Sequence, residues 1–241
     1  MEQFLCPTAL LNFNHTEIHQ LVTNRGWLQL ANEERIARIY DFVQNEIAFG
    51  YNEADDLAAS QVLADGIGQC NTKGTLLMAL LRKCGIPCRF HGFTINKRLQ
   101  KGAISGIAYL LAPRNIIHSW VEIWHQDRWI NLEGFILDKA YLSSVQKRFR
   151  ESEGAFCGFG IATNVLSDPA VEWRGEDTYI QKEGINHDFG VFEAPDNFYA
   201  KHGSNLSGIK RYIFLRWIRQ SMNRRVHDIR RGNWSFFQIE N

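Results

Sequence analysis

A cysteine held behind two glycines, at the head of a long apolar run, constrains this chain more than any other feature. Gly66-Ile67-Gly68-Gln69-Cys70 leads into Leu76, Leu77, Leu80 and Leu81 at helical spacing, and Gly85 with Pro87 marks the stop. The spacing predicts a helix that opens at Cys70. The first N–H groups of a helix have no intrahelical partner, and the positive end of its dipole favours thiolate over thiol. The two glycines allow a tight approach to the helix start.

The flanking periodicities set the fold class. Asn32 to Ile47 reads as a helix with Ile36, Ile39, Tyr40 and Val43 as its apolar stripe, ended by Phe49-Gly50-Tyr51. Asp55 to Leu63 reads as a shorter helix with Leu57 and Val62 inward. After Cys84 the period changes to two. Cys88 to Ile95, Ser119 to Trp124 and Trp129 to Glu133 alternate like strands, the last two separated by His125-Gln126-Asp127-Arg128. Residues 96–117 form a long connection with a helical piece around Ile104 to Leu111. Helices followed by antiparallel strands make an α+β pattern. The expected layout is one compact domain. Residues 1–32 pack on a core at 33–142, followed by a Gly/aromatic-rich extension at 143–208 and a basic helix and tail at 209–241.

Composition excludes several classes. A formal net charge of +1 over 241 residues gives no case for nucleic acid, and no apolar run is long enough to span a membrane. The N-terminus lacks a basic segment followed by a long apolar core, so no secretory signal is expected. Five cysteines at irregular spacing point to a reducing, cytoplasmic setting. Cys84 and Cys88 have no nearby histidine pair and read as partly buried thiols. His15 and His19 lack a third ligand and read as surface or capping residues, so neither a metal nor another cofactor is expected.

The second half is less legible. Phe156-Cys157-Gly158-Phe159-Gly160, Trp173-Arg174-Gly175 and Phe189-Gly190-Val191-Phe192 suggest an irregular flap over the core, with Asp168 and Asp188 in turn or cap roles. From Ile209 to Arg231 a helix is expected, with Leu206, Ile209, Ile213 and Trp217 as its stripe. Lys210, Arg211, Arg216, Arg219, Arg224, Arg225, Arg230 and Arg231 cover much of the rest. That face either docks an acidic partner or is simply solvated.

A nucleophilic cysteine needs a base, and the base needs an orienting group. With Gln126 and Asp127 at a hairpin tip, Trp124 faces Trp129, Glu122 faces Asn131, Trp120 faces Glu133 and His118 faces Phe135. His118, Trp120, Asn131 and Glu133 then share a face, and His118 and Glu133 are diagonal neighbours about 7–8 Å apart. In this reading His118 shares the proton of Cys70, and Glu133 fixes the imidazole. Cys70 attacks a carbonyl to form a thioester, which water or an amine resolves. The Cys70 N–H is one oxyanion donor, and a side chain such as Gln69 or Tyr51 is the second. Trp120 either walls the acyl channel or packs. Each residue alone has an ordinary structural reading, and the weight lies in their combination.

These residues resemble the transglutaminase-like superfamily. Three blocks carry the likeness. They are Ala37 to Gly50; Gly66 to Cys70 with Ala79 to Arg89; and His118-Ser119-Trp120-Val121-Glu122-Ile123 with Trp129 to Glu133. The resemblance implies a papain-like core, its nucleophile helix packed on an antiparallel sheet. It also implies Cys70 as nucleophile, His118 as base and Glu133 at the acid position, where the family usually has aspartate. The implied activity is acyl transfer on a peptide or amide carbonyl, as protease, amidase, deamidase or transglutaminase. No calcium-loop spacing is present, and contacts for coenzyme A are not evident. The alternative is a non-catalytic binding module that keeps the fold.

Overall fold

The computed structural model describes residues 1–104, 106–205, 214 and 218–238. Helices α1 (Thr16–Asn24), α2 (Asn32–Asn45), α3 (Ala59–Asp65) and α4 (Cys70–Lys83) come first, with a short parallel pair, β1 (Ala48–Phe49) and β2 (Ile67–Gly68), among them. His15 caps α1, its Nδ1 accepting the Glu17 N–H at 3.4 Å. The α2 stripe is buried as its spacing predicts. The next helix opens at Ala59 instead of Asp55. The Asp55 carboxylate accepts hydrogen bonds from Gln69, Asn71 and Asn205, and these hold the chain in a turn. Leu57 therefore precedes the helix, while Val62 is buried within it.

α4 is buried from Cys70 to Arg82, on all faces and not only along its leucine stripe. Full burial of Leu76, Leu77, Leu80 and Leu81 stabilises the fold by about 1.5–3 kcal/mol each. Its polar residues must then find partners inside the protein. Arg82 forks to the carbonyls of Cys6, Cys88 and Glu193, and Lys73 donates to the carbonyls of Gln44 and Ile136.

The remaining elements are β3 (Cys88–Asn96), α5 (Gly106–Leu111), β4 (Asn115–His125), β5 (Arg128–Leu132), α6 (Lys139–Arg148), β6 (Phe156–Gly158), β7 (Ile161–Thr163), β8 (Ile185–Phe192), α7 (Pro195–His202) and α8 (Arg219–Arg230). The main sheet runs β5-β4-β3-β8, antiparallel throughout, and the fold is α+β. α4 packs on the side of β4 that carries Ser119 and Val121. Gln126 and Asp127 both have positive φ, the two-residue turn that suits the twist of a hairpin. Trp124 pairs with Trp129 and Glu122 with Asn131, in the expected register.

Three expectations are corrected. β5 ends at Leu132, so the Trp120–Glu133 and His118–Phe135 pairs do not form. The chain leaves the sheet at Glu133 and enters a 3₁₀ turn, Gly134–Ile136, because the N–H groups of Glu133 and Gly134 turn to Thr178. The 143–208 stretch is not only an irregular flap, since β8 is the fourth strand of the main sheet, paired with β3. Register shifts at Gly92/Phe93 and Thr94/Ile95 blur the strand period that a sequence would show. Asp188 lies on β8 and bonds His91, not a turn alone.

α8 buries Met222, Val226 and Ile229. Its Arg230 bonds Asp138, the N-cap of α6, and the Phe49 carbonyl, so this arginine faces inward. The expected stripe residues Leu206, Ile209, Ile213 and Trp217, with Lys210, Arg211 and Arg216, lie outside the described residues. Among the described residues no helix is long and apolar enough to cross a membrane.

Candidate active site

Cys70 is the first residue of α4, and Gln69 is its N-cap. The Gln69 Oε1 accepts the Asn71 N–H at 2.8 Å, and its own N–H donates to Thr72 Oγ1 at 3.1 Å, closing a capping box. The same Oε1 accepts the Cys70 thiol at 2.9 Å, while Nε2 donates to Asp55 at 2.8 Å. Both ends of the Gln69 amide are therefore engaged in holding the helix start. Gly68 is required here, since a Cβ would sit 2.7 Å from Lys73 Cγ and 2.9 Å from Thr72 Oγ1.

His118 is fully buried on β4. Its Nε2 lies 2.7 Å from Glu133 Oε1, which leaves Nδ1 for the sulfur of Cys70. Burial alone would lower this imidazole. The charge of Cys70, with Glu133 behind, outweighs burial and carries the ring up to about 10. The imidazole is thus held by the carboxylate and lies within the field of the sulfur.

Glu133 is also fully buried. Its second oxygen accepts three backbone N–H groups, from Ile180 at 2.8 Å, Gln181 at 2.9 Å and Lys182 at 3.1 Å. Successive amides of this kind form an anion-binding nest. The segment that carries them is pinned beside β5. Thr178 exchanges backbone hydrogen bonds with Asn131 and Glu133, and the Asp177 carboxylate accepts from the Asn131 N–H and side chain. None of residues 177–182 was predicted, because a backbone nest leaves no mark in side-chain chemistry. Asn71 was also missed. It bonds Ser119, the Ile117 carbonyl and Asp55, tying the start of α4 to β4 beside His118. Its place one residue after the cysteine was the available signal.

Tyr51 shares a cavity lining with Cys70, and its hydroxyl donates to Gln100 at 2.7 Å. Burial, and then the charge of Cys70, keep its phenol protonated well above the usual range. Trp120 is absent from that lining. It packs against Phe93, His91 and Tyr179 with ring centroids 4.1, 5.3 and 5.6 Å away. On the same side of the sheet, His91 lies between Glu122 at 2.6 Å and Asp188 at 2.9 Å. Burial opposes its protonation, but the two carboxylates prevail and raise it. Among the described residues no group of His, Cys, Asp and Glu side chains is arranged to hold a metal ion.

The cavity beside Cys70 has a volume of about 240 Å³. Such an arrangement can place a carbonyl carbon against the sulfur while the imidazole handles the proton.

Comparison with known proteins follows this geometry. Residues 23–134 match the family model of the transglutaminase-like superfamily. No curated protein matches the chain. A solved structure of a proposed cysteine protease from Cytophaga hutchinsonii aligns at 13% identity and a TM-score of 0.44, over 80% of this chain and 47% of that one. The chain thus spans about half the length of that neighbour. The matched segment begins inside α1 and ends one residue past Glu133, so Cys70, His118 and Glu133 all fall within it. Over these residues, just under half of the chain, the sequence is similar to the transglutaminase-like superfamily.

Proposed function

We propose that this protein is a cysteine-dependent acyl-transfer enzyme acting on an amide or peptide carbonyl. Cys70 attacks the carbonyl carbon, forming the C–S bond, and the amine leaves with a proton delivered by His118. The resulting thioester is resolved by water, as in an amidase or protease, or by an amine, as in a transglutaminase. Glu133 holds the imidazole in one orientation through both half-reactions. The Cys70 N–H, at the start of α4, is the first oxyanion donor, and the Tyr51 hydroxyl in the same cavity becomes the second once its proton turns from Gln100 to the substrate.

One observation carries this reading. A fully buried histidine has one nitrogen on a carboxylate and the other left for a sulfur at a helix N-terminus. A merely structural histidine has no need of a sulfur placed there.

The test is trapping by intact mass across a library of glutaminyl and other amide-bearing peptides. The expected result is a Cys70 acyl adduct that is absent in Cys70→Ala. Release into labelled water or a labelled amine then identifies the acceptor. No adduct with any donor, together with iodoacetamide alkylation of Cys70 no faster than that of the other four thiols, would support the binding-module alternative.

A further inference from the structure

The cavity that opens at Cys70 has a chemistry of its own. Its wall is mainly apolar, formed by Ile95, Ile104, Ile116 and Ile117 with Ile218 and Met222 from the C-terminal part of the chain. An apolar cavity of about 150 Å³ takes a benzene ring, and this one measures about 240 Å³. Among the described residues, the charged ones in its lining are Glu53, Asp55 and Asp56, all acidic. Asp55 is already engaged by Gln69, Asn71 and Asn205, whereas Glu53 and Asp56 are exposed.

We infer that this cavity is the acyl-group subsite, and that the preferred substrate presents an uncharged apolar group, the size of a phenyl ring or a six-carbon chain, next to the carbonyl that Cys70 attacks. The inference rests on Cys70 being the nucleophile. Three observations support it. The sulfur sits in the cavity wall, so the group attached to the carbonyl has this space to enter. The wall offers branched aliphatic surface, which rewards each methylene removed from water. The acidic residues would repel a substrate ending in a carboxylate, since among the described residues the lining holds no lysine or arginine to receive one. Ile218 and Met222 lie beyond the family-matched segment, so part of this wall is supplied from outside it.

The experiment uses the full chain and a series of p-nitrophenyl esters with acyl chains of two to ten carbons, each rate corrected for reaction with a free thiol. In the acylation step the C–S bond forms, p-nitrophenolate leaves, and the thiol proton stays on His118. The expected kcat/KM rises roughly 3- to 4-fold per methylene up to about six carbons and then levels or falls. A terminal carboxylate on the same chain should lower the rate about 10-fold or more. Ile104→Trp, which fills the space, should abolish the chain-length gain. Met222→Ala, which enlarges it, should move the optimum to longer chains. Thermal unfolding of both variants establishes that they fold. Acylation of Cys70 that is indifferent to chain length overturns the subsite and leaves the nucleophile standing. Absence of any Cys70 ester overturns both.

Discussion

Glu133 reaches His118 with one oxygen at 2.7 Å and gives its other oxygen to the N–H groups of Ile180, Gln181 and Lys182. The side chain bridges two parts of the fold that are far apart in sequence. Its length matters to that bridge, because the chain has already turned away from the sheet at this residue.

Glu133→Asp should therefore impair the site, even though aspartate is the commoner residue at this position in the resembling family. The shorter side chain cannot satisfy the nest and the imidazole together. A misplacement of about 1 Å in a catalytic group can cost about 10²-fold, and a loss of that order in Cys70 acylation is expected. Glu133→Gln should lose at least as much, since its amide would set donors against donors. Acylation by Glu133→Asp at the rate of the native chain would show that the nest does not position the acid.

The charge of Cys70 is a main reason for the raised affinity of His118 for its proton. The folded value, about 10, lies above the ordinary ~6.5 of histidine. Stability from this group is thus complete below that ordinary value and is lost as pH rises through about 10. Cys70→Ala should bring the midpoint of the ring down by removing the charge. Imidazole ¹⁵N shifts between pH 5 and 11 read this directly. An unchanged midpoint in Cys70→Ala would mean that the two groups do not interact.

Lys73 behaves in the opposite sense. Burial lowers it to about 7, with Asp138 opposing and Arg230 assisting that shift. Its ammonium touches two carbonyls and no carboxylate among its hydrogen bonds. The unfolded lysine binds its proton more tightly, so folding is penalised below about 7 and the penalty fades as pH rises toward the ordinary ~10.4. This rising contribution runs against the falling one from His118 between pH 7 and 9, so urea unfolding reads it as the difference between the native chain and Lys73→Met. Lys73→Met should lose it, so that its stability falls more steeply with pH than that of the native chain, at a cost of about 1–3 kcal/mol for each carbonyl left unpaired. The same pH dependence in both proteins would show that Lys73 does not carry the contribution.

Gly134 follows the acid directly. A Cβ there would lie 2.5 Å from the Tyr40 hydroxyl and 2.6 Å from Val171 Cα. The Val171 backbone cannot step aside as a flexible side chain tip can. Gly134→Ala should cost about 1–3 kcal/mol by overpacking, visible as a lower urea midpoint, and should also slow acylation because Glu133 moves with it. A variant of native stability would show that the turn tolerates a side chain.

The nucleophile helix, the hairpin register and the three candidate catalytic residues were legible because each depends on short-range pattern. Leu76, Leu77, Leu80 and Leu81 repeat at helical spacing, and the Trp124–Trp129 pair follows from a two-residue turn. Glu133 was expected on a strand beside Trp120 and instead begins a turn. His118 and Glu133 still meet, since the turn brings the carboxylate back over the sheet edge. β8 was hidden because its pairing with β3 is interrupted by two register shifts, which break the alternation a reader would seek.

Side-chain type and spacing alone determined that a cysteine would open a buried helix, with a histidine on a strand that follows and an acid beyond it in the chain. Only the tertiary structure decided what holds the acid and what faces the sulfur. Backbone amides from residues 180–182 and aliphatic side chains from several separate stretches converge there through long-range packing. Peptide N–H groups are nearly the same in every residue, and a cavity wall has no period, so neither writes a local signal into the chain.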